Sequence, residues 1–208
     1  MREENNNVDG IVTGNYFNKF ESKNPLVRFV MNKYHQELEK SIGRMRVSRL
    51  LEVGCGEGNI INFMIKKYKP SYIKGLDIDE KMLRNLSKKY PQFDFKKQFL
   101  DEKFQDEQEY DLVLCLEVLE HIEKYNAALN NIKKIKSKKI VFSVPNEPFF
   151  RIANVARLHY VKQLGNTPGH VNNFTYFDIY RVIKKHFPKD KVTISNCYIW
   201  NFVVVERK

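Results

Sequence analysis

Five short apolar runs, separated for the most part by amphipathic segments, constrain this chain more than any other feature. Residues 49–53, 72–78, 93–99, 111–116 and 139–144 read as strands. Between them, residues 59–68, 80–90 and 125–135 carry apolar side chains at helical spacing, as in Ile60, Phe63 and Met64. Pro91 stops the second of these helices and Pro145 closes the fifth strand. Strands that are apolar on both faces must be covered on both faces, and strands alternating with helices pair in parallel. The predicted class is a doubly wound α/β domain.

The flanks follow other patterns. Residues 1–14 are polar and rich in asparagine, and are expected to be disordered. Residues 25–42 space Leu26, Phe29, Val30, Tyr34 and Leu38 by three and four, which predicts an amphipathic helix within an N-terminal cap spanning 15–48. Beyond Pro145, residues 149–164 are helix-like, and Gly165-Asn166-Thr167-Pro168-Gly169-His170 is a dense turn cluster. Thr175 and Asp178 form a capping-box pattern ahead of a helix with the face Tyr176, Tyr180, Ile183 and Phe187, stopped by Pro188. Residues 191–195 and 198–205 read as two further strands. Segment 146–175 is therefore an insertion at the carboxyl edge of the sheet, where folds of this class bind ligands, within a domain spanning 49–208.

Charge is the one unusual number in the composition. The 208 residues hold 36 Lys+Arg against 25 Asp+Glu, a net charge of +11, which raises the question of a nucleic-acid partner. The surplus is uneven: +2 over residues 1–48, +3 over 49–146 and +6 over 147–208. Lysines also outnumber arginines 26 to 10, whereas forked recognition of phosphate uses arginine. Nucleic acid is thus kept as an alternative partner rather than the favoured one. Cys55, Cys115 and Cys197 are odd in number and widely spaced, which suggests neither a disulfide framework nor a zinc site, and no metal is expected. The polar, acidic start is unlike a signal peptide and no run approaches the ~20 apolar residues of a membrane span, so a cytoplasmic protein is expected.

The turn after the first strand carries the chemistry: Glu52-Val53-Gly54-Cys55-Gly56-Glu57-Gly58-Asn59. It lacks the Gly-Lys-Ser/Thr of a P-loop, and Asn59 stands where GxGxxG requires its third glycine. An acid ahead of the glycines is unfavourable beside a pyrophosphate and favourable beside an ammonium group. Asp77 follows Gly54 by 23 positions, at the end of the second strand, where α/β folds place a carboxylate that accepts from ribose hydroxyls. A nucleoside-binding first half is the combined reading.

With these residues the chain resembles the class I S-adenosylmethionine-dependent methyltransferases. The similarity runs from Glu52 through Asp77 to Tyr110-Asp111-Leu112-Val113-Leu114-Cys115-Leu116-Glu117-Val118-Leu119-Glu120-His121-Ile122, which is similar to the motif of the branch that mainly modifies small molecules. The resemblance implies a seven-stranded, mostly parallel, Rossmann-like sheet ending in an antiparallel hairpin. It implies S-adenosylmethionine as cofactor and S-adenosylhomocysteine as product, bound by Glu52, Gly54, Cys55, Gly56, Asp77, Ile78, Leu116 and Glu117. Asp101 is the candidate for the adenine amino group, although its loop lacks the family's usual Gly-Asp pair. Tyr16 and Lys19 are candidates to close over the cofactor, or ordinary packing residues.

Methyl transfer is an in-line displacement, so alignment and water exclusion matter most, and a base is useful where the acceptor must lose a proton. His170 and His121 are the candidate bases; the alternatives are a surface-turn histidine and a helix-start histidine. Asn146, Arg151, Arg157 and His170 are the candidate acceptor contacts, Arg being suited to a carboxylate or phosphate. The function expected is methylation of O, N or C of a small acceptor, with the basic last third favouring an anionic one. The alternatives are an RNA or protein methyltransferase, and a module that binds cofactor or RNA without chemistry.

Overall fold

The structure is a computed structural model that describes residues 7–8, 11–12, 23–148 and 169–208. Its elements in chain order are β1 (Asn7–Val8), β2 (Ile11–Val12), α1 (Pro25–Ile42), β3 (Arg49–Val53), α2 (Asn59–Tyr68), β4 (Tyr72–Asp77), α3 (Glu80–Lys89), β5 (Asp94–Lys97) and β6 (Glu109–Leu116). A 3-10 turn at Leu119–His121 precedes α4 (Tyr125–Lys134), β7 (Lys136–Pro145), α5 (Tyr176–His186), β8 (Lys191–Cys197) and β9 (Trp200–Glu206). The main sheet has seven strands in the order β5-β4-β3-β6-β7-β9-β8. All neighbours are parallel except the two pairs that involve β9. The order reverses between β3 and β6, the crevice position at which doubly wound sheets bind ligands.

The central strands contribute to two cores because successive side chains point to opposite faces. Val113, Cys115, Ile140, Phe142, Val203 and Val205 face α4 and α5. Leu112, Leu114, Val141, Phe202 and Val204 face α1, α2 and α3, where they meet Leu38, Ile42, Ile61 and Met64. The expected cap helix is thus part of the second core: Tyr34 and Leu38 are buried. Asn24 caps α1 by accepting from the Leu26 N–H, and Thr175 with Asp178 closes the predicted capping box on α5. The three cysteines are buried and free. Among the described residues no helix is long and apolar enough to cross a membrane.

Two differences from the sequence reading are informative. Asn7–Val8 pairs antiparallel with Ile11–Val12 inside the stretch expected to lack structure. The signal was present, since Val8 and Ile11 flank an Asp-Gly pair, which is favourable in hairpins. Strand β7 starts at Lys136 rather than 139, because Lys136 and Ser137 pair with Glu109 and Tyr110 although their side chains are not apolar. The helix-like segment 149–164 lies outside the described residues.

A buried asparagine organises the loop after β5. The Asn131 Nδ2 donates to the Leu100 carbonyl at 2.8 Å and the Glu102 carbonyl at 2.6 Å, which fixes the turn holding Asp101. Asn131→Leu should leave both carbonyls unpaired and cost about 2–4 kcal/mol, measured by urea denaturation.

Candidate active site

The β3–α2 turn is shaped by glycines with two different surroundings. Gly54 adopts φ +74°, and its N–H and that of Cys55 donate to the Leu76 carbonyl at 2.7 and 3.0 Å. A Cβ on Gly54 would lie 2.3 Å from Val118, so this residue is wedged against the turn after β6. Gly56, at φ +49°, faces open space, with nothing within 4 Å of where a Cβ would stand. Its N–H donates to Asp77 Oδ2 at 2.7 Å, while the Asp79 N–H donates to Asp77 Oδ1 at 3.0 Å. Asp77 therefore ties the glycine turn to the end of β4. Burial raises the Asp77 pKa and these N–H donors oppose the rise.

Glu52 lies on β3 just before this turn and is 3% exposed. Its Oε2 is buried without a hydrogen-bond partner. Burial first, and the neighbouring Asp77 second, push its carboxyl well above the usual range. A cationic ligand group would satisfy this oxygen and offset both charges, so the residues present fit a ligand with an ammonium beside the glycine turn. Cys55 contributes backbone to the turn; its thiol is buried, and burial raises its pKa. Ile78 is half-buried directly after β4, Leu116 is buried at the end of β6, and Asp101 occupies the Asn131-held turn beyond β5.

The other half of the edge is built on the turn after β6. Glu117 adopts φ +58°, an uncommon conformation for a residue with a Cβ. Its carboxylate accepts from Trp200 Nε1 at 2.7 Å and from Ser143 Oγ at 3.0 Å, and Tyr34 OH lies 2.8 Å from that hydroxyl. Glu117 is thus held by Ser143 on β7 and Trp200 on β9. Tyr34 is packed between the rings of Trp200 and Phe202, both at 4.9 Å. The partners Tyr34, Ser143 and Trp200 carried no motif in the sequence.

Segment 169–174 packs back onto the same turn. The N–H groups of Val171 and Asn172 donate to the Glu120 carbonyl, and Asn172 Nδ2 donates to the Leu119 and Ile122 carbonyls. This brings His170 against His121, with ring centroids 4.9 Å apart at 77°. Glu120, His121 and His170 then offer three ligand atoms within 4.8 Å of one another. His121 Nδ1 is 2.9 Å from the Gly169 carbonyl, which can only accept, so Nδ1 carries a proton. A carboxylate and two imidazoles are a donor set suited to a divalent metal, in addition to the base role expected of the histidines. Glu120 is the member that sequence reading missed. Asn146 is buried at the end of β7, on this side of the edge. Tyr16, Lys19, Arg151 and Arg157 lie outside the described residues.

Residues 51–137 match the family described as "Methyltransferase domain". This stretch runs from β3 to the start of β7, and this likeness to methyltransferase domains covers less than half of the chain. The chain is 28% identical over 102 residues to a trans-aconitate 2-methyltransferase of Rhizobium rhizogenes, covering 47% of this chain and 40% of that protein. It is 27% identical over 144 residues to a ubiquinone biosynthesis O-methyltransferase of Rickettsia bellii, covering 65% and 59%. The chain thus spans less than two thirds of the length of these relatives. Among solved structures, the small RNA methyltransferase HEN1 shares the fold at a TM-score of 0.67 and 20% identity, covering 84% of this chain and 25% of that one.

Two predictions concern the half of the edge built on the glycine turn. In the unliganded protein the raised Glu52 pKa makes the folded state bind a proton more tightly than the unfolded chain. Stability should then fall as pH rises above the ordinary glutamate value of 4.5. Glu52→Gln should remove that slope and raise the unliganded Tm at neutral pH by roughly 2–4 °C, read by calorimetry. Gly54→Ala should cost about 2–4 kcal/mol through its positive φ and the contact with Val118. Gly56→Ala should cost about 1 kcal/mol, since it meets only the φ penalty, which urea denaturation of the pair would distinguish.

Proposed function

We propose that this protein transfers a methyl group from S-adenosylmethionine to an oxygen of a small, anionic acceptor and releases S-adenosylhomocysteine. One observation carries the reading: a buried Glu52 carboxyl with an unpartnered oxygen and the Glu120, His121 and His170 cluster lie on the same sheet edge, on either side of the β3–β6 crevice. The cofactor, when bound, supplies a methyl group on a sulfonium that is displaced in line by the acceptor. Glu52 holds the ammonium of its methionine part, Asp77 the ribose hydroxyls, and Gly56 leaves space for close approach.

At the acceptor end a hydroxyl must lose its proton as the new carbon–oxygen bond forms. His121 receives it at Nε2, because Nδ1–H is committed to the Gly169 carbonyl. A divalent cation held by Glu120, His121 and His170 would instead lower the hydroxyl pKa directly. Both routes favour oxygen, since an amine needs no such assistance at neutral pH when it is already unprotonated. The surplus of basic residues beyond 146 and the trans-aconitate relative support an anionic acceptor.

A second reading, an RNA acceptor, is favoured by the net charge of +11 and by the likeness to a small RNA methyltransferase. Salt separates the two. Nucleic-acid binding that vanishes at moderate salt marks the charge as incidental, whereas retained, specific binding supports RNA.

Calorimetry should show S-adenosylmethionine binding that weakens at least tenfold in Asp77→Ala; no binding by the wild type would defeat the proposal. Manganese binding by the wild type should be lost in His170→Ala with the cofactor affinity kept. Equal manganese affinity in both proteins would leave His121 as base and remove the cation from the scheme.

A further inference from the structure

Asn146 is 6% exposed and sits directly after Pro145, at the carboxyl end of β7. Its Oδ1 accepts at 3.1 Å from Nδ2 of Asn201, the second residue of β9. Asn201 Oδ1 in turn accepts from Asn196 Nδ2 at 3.1 Å, across the β8–β9 pair. Asn196 Nδ2 also donates to the Trp200 carbonyl at 3.2 Å. This last contact sets the direction of the whole series, because a backbone carbonyl only accepts. With Asn196 presenting its NH2 group, Asn201 must present oxygen to Asn196 and NH2 to Asn146. Asn146 must then present oxygen to Asn201. Its own NH2 group is left without a partner among the described residues, on a side chain that is more than nine-tenths buried.

The position of that NH2 group gives it a use. The Asn146 N–H donates to the Ile199 carbonyl, and the Glu147 N–H donates to the Phe174 carbonyl in the segment that carries His170. Ser143, three residues earlier, holds Glu117. Asn146 therefore lies between the Glu117 turn and segment 169–174, on the half of the edge opposite the glycine turn. A donor whose orientation is fixed by three asparagines cannot turn to find another partner, so it stays available to an oxygen of a ligand.

We infer that Asn146 is a specificity-determining donor that binds a carbonyl, carboxylate or phosphate oxygen of the acceptor, and that Asn201 and Asn196 are positioning residues that keep its NH2 group outward. The inference rests on the transfer reading above and deepens it: the acceptor must carry an oxygen without a proton near the hydroxyl that is methylated. An acceptor with only donors at that place would leave both groups unsatisfied and be rejected.

The test uses trideuteromethyl-labelled S-adenosylmethionine, cell extract and full-length protein, with labelled products read by mass spectrometry. The wild type should label a product bearing such an oxygen. Asn146→Leu should reduce that labelling roughly tenfold or more while S-adenosylhomocysteine affinity stays within about twofold. Asn201→Asp should do the same with Asn146 intact, because a carboxylate at 201 accepts from Asn146 and so reverses its amide. Asn201→Ser, which still donates, should retain more of the labelling than Asn201→Asp; this ordering is not expected of a purely structural role. Folded Asn146→Leu protein that labels the same product at the wild-type rate would overturn the inference and leave the transfer reading standing. Wild-type protein that binds S-adenosylhomocysteine and labels nothing would overturn both.

Discussion

Four carboxylates, those of Glu52, Asp77, Glu117 and Glu120, converge on one edge of the sheet, each buried or half-buried. Like charges in a medium of low dielectric repel strongly, and burial alone disfavours each of them. The edge is arranged around this constraint. Asp77 is supplied with the N–H groups of Gly56 and Asp79, and Glu117 with the indole N–H of Trp200 and the hydroxyl of Ser143. Glu52 keeps one oxygen without a donor. A negative imbalance thus remains at this edge in a protein of +11, and a cationic ligand group would relieve it.

Several packing features serve that edge. Helix α1 is part of the fold's second core, yet its Tyr34 also reaches the hydroxyl that supports Glu117. The antiparallel hairpin β8–β9 closes the sheet and delivers Trp200 and Asn201 to the same region. The glycine turn and the turn after β6 meet closely where Gly54 packs against Val118. Lysines that produce the net charge pair mainly at the periphery, as Lys138 does with Asp111 and Lys191 with Glu206, where such pairs contribute little to stability.

Legibility divided along a physical line. The parallel sheet was readable because a strand buried on both faces must be apolar throughout, as in Leu112 to Leu116, and its helices were readable from their period. The glycine turn and its acids were readable because Glu52, Gly54, Gly56 and Asp77 lie at strand ends and turns whose local chemistry is recorded in short stretches. Glu120 with His170, Glu117 with Trp200, and Asn146 with Asn201 were not, since their separations of 50, 83 and 55 positions are bridged only by the pairing of the sheet and the return of segment 169–174. No local pattern distinguishes Trp200 from any other aromatic residue that starts a strand.

The amino-acid sequence by itself determined the class of fold, the glycine turn and the acids Glu52 and Asp77 beside it, because each depends on period, turn chemistry or short spacing. Only the tertiary structure decided which way Glu117 turns, that Glu120 joins the two histidines, and which end of the Asn146 amide faces outward. Those outcomes depend on hydrogen bonds between strands that are neighbours in the sheet and distant in the chain. Their direction is set by partners such as the Trp200 carbonyl, which only the assembled sheet brings into place.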